Sequence, residues 1–310
     1  MVPNARTKPG FRLELITPDD ESIDLHMPPD RVVQGMSGWG MSAHQRTSTR
    51  GPFQQGSTVI SQRLDERTVS FTLRHNGCSK TSWMGNRGTW VDYLRENRKP
   101  LFSPEPSQLI WHYIVNDTYT SRALDVYFED GFSFAPSRAG VWDLYSIQEQ
   151  LSFIAHDPLV YDPTINTVTV SSMEAELILP VTFPFILGGW QTTQNITNTG
   201  TWETYPVITL NGPLQNVSIE NLSTNRRINY AGEIVVDNPV TIDLGYDEKT
   251  VLDACDNDLL ANASGDIGTF SLQCAPLVTG GINELRISAE GADFATASIV
   301  ITYYTRYRGI

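Results

Sequence analysis

Residues 142–163, WDLYSIQEQLSFIAHDPLVYDP, carry a long alternation of apolar and polar positions. The apolar residues of one parity are Tyr145, Ile147, Leu151, Phe153 and Ala155. This period of two predicts a half-buried strand. We expect the strand to end at Asp157-Pro158 and Asp162-Pro163, because proline has no backbone N–H to donate to a sheet. The stretch therefore predicts the last strand of one domain and the exit to a second.

The residues before this stretch predict paired strands and one helix. Alternation over residues 11–15, 58–63 and 69–73 is typical of strands. The period changes between residues 81 and 97, where the apolar residues fall on one helical stripe: Trp83, Trp90, Val91 and Leu94. This stripe favours a helix that lies across a sheet with its tryptophans in the core over a ligand site.

The residues after this stretch predict short strands separated by frequent turns. Strand candidates include residues 167–170, 233–237, 269–272 and 297–304. Turns spaced about 8–12 residues apart are typical of an antiparallel sandwich or jelly roll. A chain of 310 residues is also long enough for two domains. We place these domains at residues 1–163 and 164–310 and expect a mainly β fold.

Residues 46–57, RTSTRGPFQQGS, lie between two strand patterns and predict a long exposed loop. Loops of about a dozen residues without structure of their own are often functional. We expect this loop to become ordered only against a partner. The candidate interface residues are Arg46, Arg50, Gly51, Pro52 and Phe53.

The charge balance limits the classes of partner. The chain has 22 Lys+Arg against 35 Asp+Glu, which gives a net charge of −13. An acidic surface repels DNA and anionic membranes, so the composition argues against specific nucleic-acid binding. No apolar run approaches the roughly 20 residues that a membrane helix needs, and the N-terminus shows no signal peptide. We therefore expect synthesis in a cytoplasm and no membrane insertion.

The sequence offers few candidates for chemistry. It shows no nucleophile motif, no phosphate-binding loop and no metal-ligand spacing among its five histidines and three cysteines. We predict no catalytic, cofactor-binding or metal-binding residues, and the acidic segment of residues 243–258 is better explained as a solvated edge than as a calcium site. Trp190, Trp202 and Tyr205 are candidates for stacking on sugar rings, although aromatic residues in a sandwich are usually core. A carbohydrate-binding module therefore stays open as an alternative, and so does a glycosidase with paired carboxylates.

Three segments of the C-terminal half carry a family resemblance: TWETYPVITLNGPLQNVSIENLSTNRRINYAGEIVVDNPVTIDLGYDEKTV at residues 201–251, GGINELRIS at residues 280–288 and the terminal IVITYYTRYRGI. In the N-terminal half, LRENRKP, GFSFAP and LSFIAHDPLVYDP occur in the order that the same family shows. Through these segments, both halves of the sequence resemble the distal tail protein family of long-tailed, non-contractile (siphovirus) bacteriophages.

This resemblance implies a structural hub rather than an enzyme. It implies an N-terminal belt domain, related to tail-tube subunits, that forms a homohexameric ring, and a peripheral C-terminal galectin-like β-sandwich. The implied location is the virion tail tip, where the ring joins the tail tube to the tail-tip apparatus. The expected partners are other copies of the chain, the tail tube protein, a tail-associated protein and a receptor-binding protein. DNA is expected to pass through the ring without being bound specifically.

Overall fold

The computed structural model describes residues 11–26, 31–76, 105–131, 146–171, 189–245, 249–290 and 296–309. The chain divides into two compact units, one formed by residues 1–163 with residues 308–310 and the other by residues 164–307. Strands dominate the described residues of both units, and their sheets are antiparallel. The expected mainly β fold class is confirmed. The helix predicted for residues 81–97 lies outside the described residues.

Unit 1 contains one large sheet and a separate hairpin. Its strands are β1 (Phe11–Ile16), β2 (Ser22–Asp24), β3 (Arg31–Ser37), β4 (His44–Thr49), β5 (Thr58–Leu64), β6 (Arg67–Asn76), β7 (Ser107–Val115), β8 (Thr118–Asp130), β9 (Ser146–Ala155) and β10 (Val160–Tyr161). The order in the large sheet is β2-β1-β7-β8-β9-β6-β3, and β10 pairs with β8. Strands β4 and β5 form the two-stranded hairpin.

The alternation of apolar residues explains the core of unit 1. On β9, Leu151, Phe153 and Ala155 are buried, as the sequence pattern predicts. Trp39, just after β3, contacts Trp111 of β7 with 5.2 Å between ring centroids, so the β3 end of the sheet curves towards β7. The sheet's two end strands also approach each other, where the backbone N–H of Val33 donates to His26 Nδ1 over 3.3 Å.

Unit 2 is a sandwich of two five-stranded sheets. The strands of these two sheets are β11 (Asn166–Ser171), β12 (Gly189–Thr197), β13 (Val207–Asn211), β14 (Leu214–Asn221), β15 (Arg226–Ile234), β16 (Val240–Asp243), β17 (Thr250–Asp253), β18 (Ala263–Gly265), β19 (Ile282–Glu290) and β20 (Ser298–Tyr303). The short strand β21 (Arg306–Tyr307) belongs to neither sheet. One sheet has the order β11-β20-β13-β16-β17 and the other β12-β19-β14-β15-β18. Two short 3-10 helices, Leu260–Asn262 and Thr279–Gly281, lie in its loops.

The core of unit 2 lies between its two sheets. Regular strands contribute alternate residues, such as Ile299, Ile301 and Tyr303 on β20. Facing residues come from β19 and β14, including Ile287 and Ile219. This packing of inward-facing residues from two sheets is the arrangement expected of a β-sandwich.

Two strand predictions in unit 2 need correction. The strand predicted at residues 233–237 in fact ends at Ile234, and Val235 begins a turn in which the N–H of Asn238 donates to the carbonyl oxygen of Val235. The strand predicted at residues 269–272 is absent, and this described segment contributes only an isolated bridge between Leu272 and Thr204. In the described residues no helix has the length and apolar character needed to cross a membrane.

Candidate functional site

The β4–β5 hairpin, residues 44–64, is the most exposed element among the described residues of unit 1. Its strands pair from His44 opposite Leu64 to Thr49 opposite Thr58, with a shift of register between Thr47 and Ser48. Within the described part of the chain they pair only with each other. None of its side chains is buried. An isolated two-stranded hairpin is marginally stable in water, so this element needs a surface to pack against.

Apolar side chains at the tip and along β5 point to a protein surface as that partner. Phe53 is 100% exposed, Ile60 65% and Val59 54%. Aromatic side chains are enriched at the centres of protein interfaces, where they are buried by the partner. The hairpin therefore presents the kind of side chains that an interface core uses.

The charge of the hairpin is opposite to that of the whole chain. Residues 44–64 contain Arg46, Arg50 and Arg63 and no Asp or Glu. Each guanidinium donates to a neutral oxygen: Arg46 Nε to Gln62 Oε1 (3.3 Å), Arg50 Nε to the Gln54 carbonyl (3.1 Å) and Arg63 Nε to Gln45 Oε1 (2.5 Å). The hairpin thus offers positive charge to a partner, while the chain as a whole is at −13.

The hairpin corrects the prediction of an unstructured loop over residues 46–57. Strand β4 continues to Thr49, so the loop is confined to residues 50–57. Gln54 closes this loop, because its backbone N–H donates to the Gly51 carbonyl and its side-chain amide donates to Thr58 Oγ1 over 2.7 Å. The structure therefore places Arg46 on a strand and the other four candidate interface residues, Arg50, Gly51, Pro52 and Phe53, in the tip loop.

Sequence reasoning missed other exposed residues of the hairpin. Val59, Ile60 and Arg63 fall in a strand that was predicted, but their exposure could not be read from the alternation because β5 has no buried face. The absence of acidic residues between His44 and Leu64 was a readable signal in the sequence.

The three sugar-stacking candidates lie in unit 2, in different surroundings. Trp202 and Tyr205 are half-buried, and the Tyr205 hydroxyl donates to Glu203 Oε1 over 3.2 Å. The ammonium of Lys249 lies 4.3 Å from the centre of the Tyr205 ring, and burial lowers the pKa of this lysine while Asp243 and Glu203 oppose that shift. Trp190 lies in β12 opposite Ala289, and its side chain is outside the described residues. Sugar binding at these residues stays a prediction.

The acidic segment of unit 2 forms a hydrogen-bonded turn. The Asp253 carboxylate accepts from the side chain and backbone of Asn257, from the backbone N–H of Cys255 and from Asn238, which together lower its pKa to about 2. In the part of the chain that the structure describes, no three His, Cys, Asp or Glu side chains are grouped so as to hold a metal ion. Asp247 and Glu248, of the same segment, are outside that part.

The comparison with solved structures identifies the fold. A crystal structure of the Dit protein of phage SPP1 matches with a TM-score of 0.60 at 13% identity, over 96% of this chain and 98% of that one. This chain has the Dit fold. The match spans nearly all of both chains and so includes both units of this one, although an identity this low shows the fold alone.

The other comparisons add little to this result. Chains of the activated baseplate of phage P2, one structure with Ca and one with Sr, match at TM-scores of 0.46 and 0.45. Their identities are 14% and 13%, and each match covers 94% of this chain and 97% of that chain. No protein-family model matches the sequence, and no curated protein matches it.

Proposed function

We propose that the protein is a non-enzymatic distal tail protein, a structural hub of a siphovirus-type virion. Six copies form a ring through unit 1 at the tail tip, and the ring joins the tail tube to the tail-tip and receptor-binding apparatus. The observation that carries the proposal is the Dit fold over 96% of the chain, since the SPP1 Dit protein is described as a paradigm of the hub adsorption apparatus of phages that infect Gram-positive bacteria. The motifs of both halves, which resemble the distal tail protein family, support it independently.

The β4–β5 hairpin supports an assembly role. Among the described residues no further strand pairs with β4 or β5, and edges left open in this way favour aggregation unless they are covered. A closed ring covers such edges in every copy, because each subunit offers the same surface to its neighbour. The β4–β5 hairpin is thus the assembly arm, the element through which unit 1 binds another subunit or the tail tube.

Charge favours the same partners. The hairpin is positive and the chain as a whole is at −13, so a second copy presents acidic surface to it. Opposite charges across an interface speed the encounter and suppress wrong partners more than they raise affinity. Acidic residues also keep the ring from holding DNA, because each Lys or Arg contact to a phosphate adds affinity that passage does not need.

Immunogold electron microscopy tests the location. Antibodies raised against the purified protein are applied to virions of the phage that encodes it, with antibodies pre-absorbed on the same protein as the control. We expect gold particles at the distal end of the tail. Labelling of the capsid, labelling along the whole tube, or virions that contain none of the protein would contradict the proposal.

A further inference from the structure

Arg67, the first residue of β6, is a buried cation. The residue is 3% exposed, and its guanidinium donates only to backbone carbonyls. Nε donates to Pro158 over 2.7 Å, Nη1 to Gly38 over 3.0 Å and to Gly40 over 2.7 Å, and Nη2 to Arg308 over 2.8 Å. One side chain thus joins three segments of unit 1 that are far apart in sequence.

The chemistry of the site suits arginine and no other side chain. A buried charge is tolerated only where its donors are satisfied, and the planar guanidinium presents five N–H groups in a fixed fork. Burial lowers the pKa of Arg67 to about 10, so the group stays charged at neutral pH. A lysine ammonium has three donors at one point and cannot reach acceptors spread around a planar fork.

The backbone around the guanidinium is packed too closely for most side chains. A Cβ at Gly38, whose φ is +89°, would lie 2.1 Å from the Thr68 carbonyl oxygen. A Cβ at Gly309 would lie 2.7 Å from the Gly40 carbonyl oxygen. The Ser42 hydroxyl also donates to the Pro158 carbonyl over 3.0 Å. Glycine at positions 38 and 309 therefore allows these segments to pack closely around Arg67.

Both ends of the hairpin lie next to this cluster in the sequence. Ser42 leads through Ala43 into β4, and β5 leads through Asp65 to Arg67. The N–H of Asp65 donates to the Ala43 carbonyl over 2.9 Å and closes the hairpin at its base. Arg67 itself lies just after the hairpin ends, and its guanidinium binds Gly38 and Gly40 just before the hairpin begins.

We propose that Arg67 is the positioning residue of the β4–β5 hairpin. It fixes the base of the hairpin on unit 1 and ties that base to residues 308 and 309, so the arm projects in one direction while its tip stays free to bind. A rigid base reduces the conformational entropy that the hairpin loses when it binds a partner. The assembly consequence rests on the proposed function, whereas the fixing of the base does not.

Hydrogen exchange of the isolated full chain, followed by mass spectrometry, tests the fixed base. We compare the wild type with Arg67→Lys and Arg67→Met and follow peptides from residues 43–65. Arg122→Met is the control, because Arg122 is another largely buried arginine of unit 1 and its hydrogen-bond partners include Asp162 and Ser121, which lie away from the hairpin in the sequence. We expect both Arg67 variants to speed exchange at the hairpin base by about tenfold or more, while peptides of β13 and β20 stay unchanged.

Two outcomes would overturn the inference. One is unchanged exchange at the base in a folded Arg67 variant, and the other is an equal increase in Arg122→Met, which would mean general loosening of unit 1. If neither Arg67 variant folds, Gly309→Ala replaces them, because its methyl group presses on Gly40 without removing the cation; the same rise at the base is expected, and no rise contradicts the inference.

Ring formation by the same variants separates this inference from the proposed function. If Arg67→Lys loosens the base and lowers ring yield, both stand. If it loosens the base and rings still form at the wild-type yield, the hairpin is not the assembly arm, but Arg67 still positions it.

Discussion

Phe153 and Phe53 are the same side chain in opposite surroundings. Phe153 is 1% exposed, and its ring centroid lies 5.7 Å from those of both Phe71 and Phe128. Phe53 is fully exposed at the hairpin tip. One residue therefore holds unit 1 together, and the other contributes nothing to the fold of the single chain.

Alanine substitution separates these two roles. We expect Phe153→Ala to lower the free energy of unfolding by about 3–5 kcal/mol, because it leaves a cavity among aromatic rings. We expect Phe53→Ala to change it by less than about 0.5 kcal/mol and to reduce ring formation. Urea titration gives the first quantity and light scattering the second. A stability loss in Phe53→Ala similar to that in Phe153→Ala would show that the tip packs on its own chain.

Asp253 makes the free energy of unfolding of unit 2 depend on pH in the acidic range. Its folded-state pKa of about 2 is below its ordinary value of 3.8, chiefly because the Asn257 side chain donates to the charged carboxylate. A lowered pKa contributes stability that is present above pH 3.8 and is lost as the pH falls through about 2. We expect Asp253→Asn to lower the urea midpoint at pH 7 and the difference from the wild type to vanish near pH 2. A difference that persists at pH 2 would contradict this assignment.

At the scale of elements, the sequence predicted strands that bury one face and failed on strands that bury none. β9 and β20 follow their alternation because Phe153 and Ile301 pack into cores. β4, with the sequence HQRTST, has no apolar residue to mark a buried face, so it read as loop. Val235 and Val236 produced the opposite error: they predicted a strand, but they lie in a turn and are 50% and 58% exposed.

The exposure of the candidate site was predictable, but its hairpin form was not. The polar, basic segment around Arg50 indicated an exposed segment, and the structure puts it at the tip of a hairpin. Its use as an interface stays a prediction. The role of Arg67 could not be read from the sequence, because its acceptors are backbone carbonyls that any residue supplies. Only tertiary structure brings Gly38, Pro158 and Arg308 to one side chain.

Shortening the hairpin tests its role as an arm. We expect replacement of residues 45–63 by a two-residue turn to leave the melting temperature of the single chain nearly unchanged, because no side chain of the hairpin is buried. We expect the same change to block ring formation. The matched control is Arg46→Lys with Arg50→Lys and Arg63→Lys, which keeps both charge and hairpin. A large fall in melting temperature with rings still present would place the hairpin in the core and defeat the idea.

At the scale of the whole molecule, the proposed role as a hub would account for the exposed β4–β5 hairpin. A hub subunit binds its neighbours through its surface, and this chain presents an exposed aromatic residue and unlike charges there. In a closed ring of identical subunits, the number of copies is fixed by the angle between neighbours. In the proposed ring, the contact of each hairpin with the next subunit would set that angle.

The mass of the assembly tests the central claim most directly. Native mass spectrometry and light scattering are run on the purified chain over a range of concentrations, alone and with tail tube protein, and the copy number is also counted in virion tails. We predict a closed particle of six subunits of 34.6 kDa each. Monomers at every concentration, together with a single copy in the tail, would contradict the account.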